Sequence, residues 1–295
     1  MRLLVAGAQG QLARAMIELA PSAADITAFA LGRPALDLTA PASVLKTLAD
    51  FKPDVIVNAA AYTAVDKAES EPDAAMALNA DGPARLAEAA DRMGAVLIHV
   101  STDYVFDGTK PTPYVEDDPT APLGAYGRSK LAGEVAVRAA TGRHIILRTA
   151  WVHSPFGANF VKTMLRLAAD RPDLRVVDDQ IGSPTYAPHL AEAILAISRA
   201  VIGDPDSARF GTYHAAGSGA VTWCGMAREI MSVSAALDGP SATVAAITTA
   251  EYPTPAERPA NSRLDCSKLA AAFSVTLPDW QQGVAECVTR LRSGV

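Results

Sequence analysis

Through the first half of the chain, short unbroken apolar runs alternate with longer stretches in which apolar residues recur every three to four positions. The runs at 3–6, 26–30, 54–58, 96–100 and 144–147 have the length and composition of strands buried on both faces. Between them, 11–20, 41–50, 72–80, 83–93 and the segment from Tyr126 onward carry helical spacing. Pro41 stands where a helix starts and Gly94 where one stops. Asp81-Gly82 is expected to separate the helices at 72–80 and 83–93.

This alternation predicts an α/β fold: a doubly wound parallel sheet of Rossmann type, with helices on both faces and right-handed crossovers. Ligands of such sheets bind beyond the carboxyl ends of the strands, where the sequence places a glycine loop, residues 58–66 and residues 101–107. After Trp151 the regular alternation ends. Helices are expected at 159–169, 188–200 and 223–234, a strand at 174–177, and a strand and turn at 213–217. The proline-rich stretch 253–259 reads as a surface loop able to close over a ligand. The expected division is a dinucleotide-binding domain over 1–150, to which parts of about 174–216 return, and a smaller, interleaved carboxyl-side domain over 151–295 that binds mostly substrate.

The 295 residues are 49% hydrophobic, fitting a globular protein with a large core. The net charge of -6 argues against nucleic acid or an anionic membrane as partner, and the expected ligand is small. Cys224, Cys266 and Cys287 show no paired spacing, so neither disulfides nor a zinc site is expected, and a cytoplasmic location fits. Five scattered histidines, His99, His144, His153, His189 and His214, read as packing or surface residues, and no metal site is expected. No run of apolar residues is long enough to span a membrane.

Gly7-x-x-Gly10-x-x-Ala13 follows the first strand and opens a helix, which suits close approach of a pyrophosphate to the positive helix end. No acid closes the second strand. Arg33 stands there instead, where it would suit a 2′-phosphate. Asp37-Leu38 would meet the adenosine, or Asp37 would cap the following turn. Tyr126 and Lys130 lie four apart, on one face of a helix, and a nearby ammonium is expected to draw the phenol's pKa down toward the working range. Ser101-Thr102-Asp103 ends the fourth strand. Thr102, Tyr126 and Lys130 together make the equipment for hydride transfer at a carbonyl: polarise the oxygen, move its proton, hold the cofactor ribose.

These segments resemble the extended short-chain dehydrogenase/reductases, and within them the dTDP-4-dehydrorhamnose reductases. The likeness runs through Gly7-Ala8-Gln9-Gly10-Gln11-Leu12, Leu36-Asp37-Leu38-Thr39, 53–69, 101–108, 126–134, 148–152, 179–185 and 258–265, nearly the whole chain. It implies that Gly10, Gln11 and Leu12 hold the phosphates of NADPH, with NADH as the alternative. It also implies that Ala61, Tyr62 and Thr63 line the cofactor channel, that Tyr126 is the proton donor with Lys130 as partner, and that Thr102 tunes the pair. Thr102, Asp103 and Trp151 would contact a nucleotide sugar, and Arg258 its diphosphate. The implied reaction reduces the C4 ketone of dTDP-4-dehydro-6-deoxy-L-mannose. The rivals are another nucleotide-sugar 4-reductase, an epimerase or dehydratase, and a non-catalytic NADP-binding regulatory subunit; Asp103-Tyr104 after Thr102, where a dehydratase would carry Asp-Glu, disfavours a dehydratase. A homodimer is compatible with the sequence. Ala13 replaces a glycine usual in the family's loop and is expected to be tolerated.

Overall fold

A computed structural model describes residues 1–204 and 209–294. Its main sheet is six-stranded and parallel throughout. Five strands come from the first half of the chain: β1 (Arg2–Ala6), β2 (Thr27–Leu31), β3 (Val55–Asn58), β4 (Val96–Thr102) and β5 (His144–Thr149). The sixth, Gly211–His214, lies beside β5, and the order runs from it through β5, β4, β3 and β1 to β2. The chain therefore leaves β1 toward one edge and returns as β3 on its other side. That reversal opens a crevice at the carboxyl ends of β1 and β3.

Alternate residues of each strand serve opposite cores, as a two-residue repeat requires. Leu3, Val5, Val57, Ile98 and Leu147 face α1 (Gln11–Leu19) and a helix at Ala187–Gly203. Leu4, Ile56, Leu97 and Ile146 face α2 (Pro41–Phe51) and the helices at Gly82–Met93 and Ala125–Ala140. Ala13 is fully buried in the first core. Each fully buried Leu, Ile or Val contributes about 1.5–3 kcal/mol, so these two layers hold the strand ends in place.

The helical region after β3 departs from expectation. A short α3 (Val65–Ala68) precedes α4 (Pro72–Met76), and the chain then widens through a π turn at Ala77–Asp81 before α5 (Gly82–Met93). Gly82 is helical and opens α5, so Asp81-Gly82 does not interrupt the path. The irregular point lies just before it, where the backbone bends to present Asn79 inward. Helix α6 (Ala125–Ala140) carries the Tyr126 motif.

The smaller body packs α7 (Phe160–Asp170), α9 (Trp223–Ala236) and α11 (Trp280–Ser293) around Val161, Met164, Met226, Ile230 and Val284. The intervening α8 (Ala187–Gly203) belongs to the large core, as does α10 (Ser267–Phe273) through Leu269. Strand Asp173–Val177, expected near the parts that return to the sheet, instead pairs with Thr243–Ile247 in a separate two-stranded sheet. Thr243–Ile247, α10 and α11 were not expected, although Trp280, Val284, Cys287 and Val288 recur at helical spacing along α11.

Candidate active site

The carboxyl ends of the strands open into one cleft of about 1310 Å³. Every expected site residue except Arg258 lines it. Gly7 adopts φ +104°, and a Cβ there would fall 2.9 Å from the Ala60 backbone, so only glycine allows the first turn to lie against the end of β3. Its N–H donates to the Leu31 carbonyl at 2.8 Å, which ties the turn to β2. Gly10 caps α1 without a side-chain acceptor, leaving the helix end to the cleft. The Gln11 side chain is taken up by the smaller body: its Oε1 accepts from Ser154 Oγ at 2.8 Å and Asn159 Nδ2 at 2.9 Å. Gln11 thus fastens the glycine loop to the start of α7.

Arg33 is exposed at the cleft's far end. The Asp37 carboxylate accepts from the Thr39 hydroxyl at 2.7 Å and its N–H at 2.9 Å. These bonds, with the Arg33 charge adding, hold its pKa below the usual carboxylate range. Asp37 therefore does turn-forming work while still lining the cleft.

Deeper in, the segment with Ala61, Tyr62 and Thr63 is pinned by Asn79. Its Oδ1 accepts from the Tyr62 N–H at 2.8 Å, and its Nδ2 donates to the Tyr62 carbonyl and to Ser129 Oγ. One buried amide thus joins the cofactor channel to the Tyr126–Lys130 turn of α6. Asn79 was missed in the sequence because it lies in an alanine-rich helical stretch, and only the wide turn brings it inward.

β4 continues to Thr102, in register with Thr149 on β5. Thr102 Oγ1 donates to Asp103 Oδ1 at 2.9 Å and accepts from the Tyr104 N–H. Burial pushes the Asp103 carboxyl up to about 6, against the pull of the Ser262 and Thr102 hydroxyls. Asp103 Oδ2 has no partner among the described residues. Tyr126 sits edge-on to Tyr104, and a Cβ at Gly127 would fall 2.2 Å from the Tyr104 carbonyl, so the glycine in the motif lets α6 close onto this turn.

The electrostatics correct one expectation. Burial raises the Tyr126 phenol to about 12, the Thr102 hydroxyl opposing and the Asp103 charge adding, so the phenol is not drawn down. Lys130 Nζ donates to the Val100 carbonyl at 2.7 Å, and among the described residues no bond joins it to Tyr126. Burial depresses the Lys130 ammonium to about 8, while Glu134, one turn along α6, holds it up. Glu134 is itself fully buried: Arg148 donates to both its oxygens at 2.9 and 2.8 Å, and Ser101 Oγ to one at 2.6 Å.

The smaller body supplies the opposite wall. Trp151 lines the cleft, stacked on Trp223, which the sequence did not single out. Arg258 stands apart, with Nη1 and Nη2 donating to the Asp66 carboxylate at 3.0 and 2.9 Å. The Ala256 N–H reaches the same carboxylate, so the loop at 253–259 is latched to the segment following β3.

The family described as the RmlD substrate binding domain matches residues 1–293. The dTDP-4-dehydrorhamnose reductase of Sinorhizobium fredii is 48% identical over 291 residues, 99% of this chain and 98% of the relative. A crystal structure of a dTDP-4-dehydrorhamnose reductase from Clostridium acetobutylicum superposes with a TM-score of 0.90 at 37% identity, covering 99% of this chain and all of that one. The enzyme of that name from Bacillus anthracis, solved in complex with NADP, gives a TM-score of 0.89 at 36% identity over 98% of this chain and 99% of its own. A parallel sheet with its crevice at β1 and β3, a threonine, tyrosine and lysine converging there, and likeness along the full length place this chain in the dTDP-4-dehydrorhamnose reductase family.

Proposed function

We propose that this protein reduces the C4 ketone of dTDP-4-dehydro-6-deoxy-L-mannose, giving dTDP-L-rhamnose at the expense of NADPH. The observation that carries the reading is the meeting, in one cleft, of Thr102, Tyr126 and Lys130 with the glycine turn that a dinucleotide needs. The residues fit such a cofactor. The Cβ-free turn at Gly7, the uncapped start of α1 and the open channel past Ala61 to Lys130 form a continuous cradle. Gly10, Gln11 and Leu12 would hold its phosphates, Asp37 and Leu38 would sit by its adenosine, and Arg33 would meet a 2′-phosphate. When bound, the nicotinamide supplies the hydride.

The chain's own residues do the rest. Tyr126, kept protonated by its buried setting, gives its proton to the ketone oxygen as the carbon accepts the hydride pair, so C=O becomes CH–OH. Thr102, held in place by Asp103 and the Tyr104 N–H, would turn its one hydroxyl proton from Asp103 Oδ1 to the ketone oxygen as charge develops there. Lys130, held at the Val100 carbonyl, would bind the cofactor ribose and contribute its charge to the site. Asp103 and Trp151 take the sugar. Arg258 meets the diphosphate by exchanging Asp66 for it. Three free cysteines fit a reducing cytoplasm, and a homodimer completes the proposal, to be tested by light scattering on the purified protein.

The deciding experiment mixes purified protein with NADPH and a panel of nucleotide sugars and follows loss of nicotinamide absorbance. Turnover of the dTDP-L-lyxo-4-hexulose substrate is expected. Good turnover of a different 4-keto sugar alone would reduce the reading to a related reductase, and no turnover of any would favour a non-catalytic NADP-binding subunit.

A further inference from the structure

Trp151 leaves β5 at φ +48°, in the left-handed region that a bulky side chain adopts only when its surroundings hold it there. Two neighbours do so. Trp223, the first residue of α9, lies parallel to the indole, with 7° between planes and 3.4 Å between ring centroids. Phe160 packs against Trp223 at 4.7 Å. Gly182 lies against one corner of the other face of Trp151. A Cβ built on Gly182 would fall 2.5 Å from Trp151 Cε2 and 2.7 Å from both Cζ2 and Nε1, the atoms bonded to Cε2 on either side. In the ring plane a point that close to Cε2 would lie nearer still to both neighbours, so the Cβ sits over the ring. The Trp223 side has no room for it.

The two jaws share a support. A short antiparallel ladder pairs Gly182 with Val221 and Ile181 with Thr222, and Trp223 follows directly. With Trp223 stacked on one face and Gly182 seated on the Nε1–Cε2–Cζ2 corner of the other, neither face is free for a flat ring to stack in full register. The indole's one polar group is Nε1–H, and no described residue accepts from it.

We propose that Gly182 and Trp223 are positioning residues that hold Trp151 edge-on to the cleft, so that its Nε1–H donates to an oxygen of the bound nucleotide sugar and the indole stacks on neither sugar nor base. This rests on the cleft being the nucleotide-sugar site and adds to that reading which chemistry the wall selects: an oxygen acceptor, not a flat ring.

The test uses the full chain with Trp223→Leu, Trp223→Phe, Gly182→Ala and Trp151→Phe. Gly182 does not require a left-handed backbone, so alanine adds a methyl group against the indole without straining the chain. Far-ultraviolet circular dichroism of the wild type should show the exciton couplet of stacked indoles, absent in Trp223→Leu. Calorimetric titration should show dTDP-L-rhamnose binding weakened by about tenfold in Trp223→Leu, Gly182→Ala and Trp151→Phe, with NADPH affinity held within about twofold and Trp223→Phe recovering most of the loss. Unchanged sugar-nucleotide affinity after loss of the couplet would overturn the proposal. So would equal losses for both ligands, or Trp151→Phe binding as the wild type does. A wild type that binds only another nucleotide sugar would instead sink the substrate reading, and the same variants would then judge the jaws with that ligand.

Discussion

Two arginine–carboxylate pairs of nearly equal geometry stand outside the lining of the cleft. Arg148 meets Glu134 at 2.8 Å and Arg258 meets Asp66 at 2.9 Å. Their settings differ. The first pair is 4% and 0% exposed, one turn beyond Lys130 on α6, while the second is 22% and 43% exposed, between the loop at 253–259 and α3. A buried pair whose partner is removed leaves an uncompensated charge in a medium that cannot solvate it, whereas an exposed pair is replaced by water at little cost. Similar bonds thus make a fixed foundation in one pair and a releasable latch in the other. Chemistry built on the foundation should be lost in large steps, and the latch should yield in small ones.

The largest step belongs to Tyr126. Tyr126→Phe should lower kcat by about 10³-fold with NADPH affinity nearly unchanged, measured by steady-state rates beside cofactor titration. Near-normal turnover would remove the phenol from the mechanism. The phenol stays protonated across the working range, so the alkaline limb of kcat/KM should come from Lys130. Its ammonium, depressed to about 8 by burial, is charged below that pH and neutral above it. Activity should therefore fall as pH rises through about 8, and Lys130→Arg should remove that limb if any activity survives.

Most of the chemistry built on this foundation could be read in the sequence, because each part lies within a few residues of a strand end. Gly7, Thr102 and Tyr126 each belong to a short motif whose position follows from the alternation of strands and helices. What was not legible depends on contacts between distant segments. Asn79 matters only because the helix widens beside it, and Trp223 only because a two-residue ladder sets it against Trp151. The sign of the Tyr126 shift was also hidden, since spacing to Lys130 says nothing of how deeply the phenol is desolvated or which carbonyl the ammonium reaches.

Next in size is the foundation itself. Burial alone would raise the Glu134 carboxyl, but Arg148, Ser101 and Arg138 overcome it and hold the pKa below the usual range. A depressed pKa of this kind contributes stability above the ordinary carboxylate range, lost as pH falls through the folded value. Glu134→Ala should cost about 3 kcal/mol in urea unfolding at neutral pH and flatten the loss of stability on acidification. A change under about 1 kcal/mol would show that water or a rearranged partner solvates Arg148, and the contrast between the two pairs would collapse.

Arg33 tests the exposed end of the cofactor wall. If its guanidinium meets a 2′-phosphate, Arg33→Ala should weaken NADPH by about tenfold and leave NADH almost untouched, as read by parallel binding titrations. Equal losses for the two coenzymes would mean that Arg33 acts through the turn it shares with Asp37 and not through the phosphate.

The smallest effects should come from the latch, where the direction of change matters more than its size. Burial of the pair is partial, so Asp66→Ala and Arg258→Ala should each cost under about 1 kcal/mol in unfolding. Both variants release the loop at 253–259, and both should be cut faster there by a protease in the absence of ligands. Their effects on substrate KM separate two roles for Arg258. If the arginine serves only to fasten the loop, the variants should raise KM alike. If it exchanges Asp66 for the diphosphate, Arg258→Ala removes a ligand contact and should raise KM severalfold, whereas Asp66→Ala frees the guanidinium and should leave KM unchanged or lower it. The exchange fails if Arg258→Ala and Asp66→Ala give the same KM.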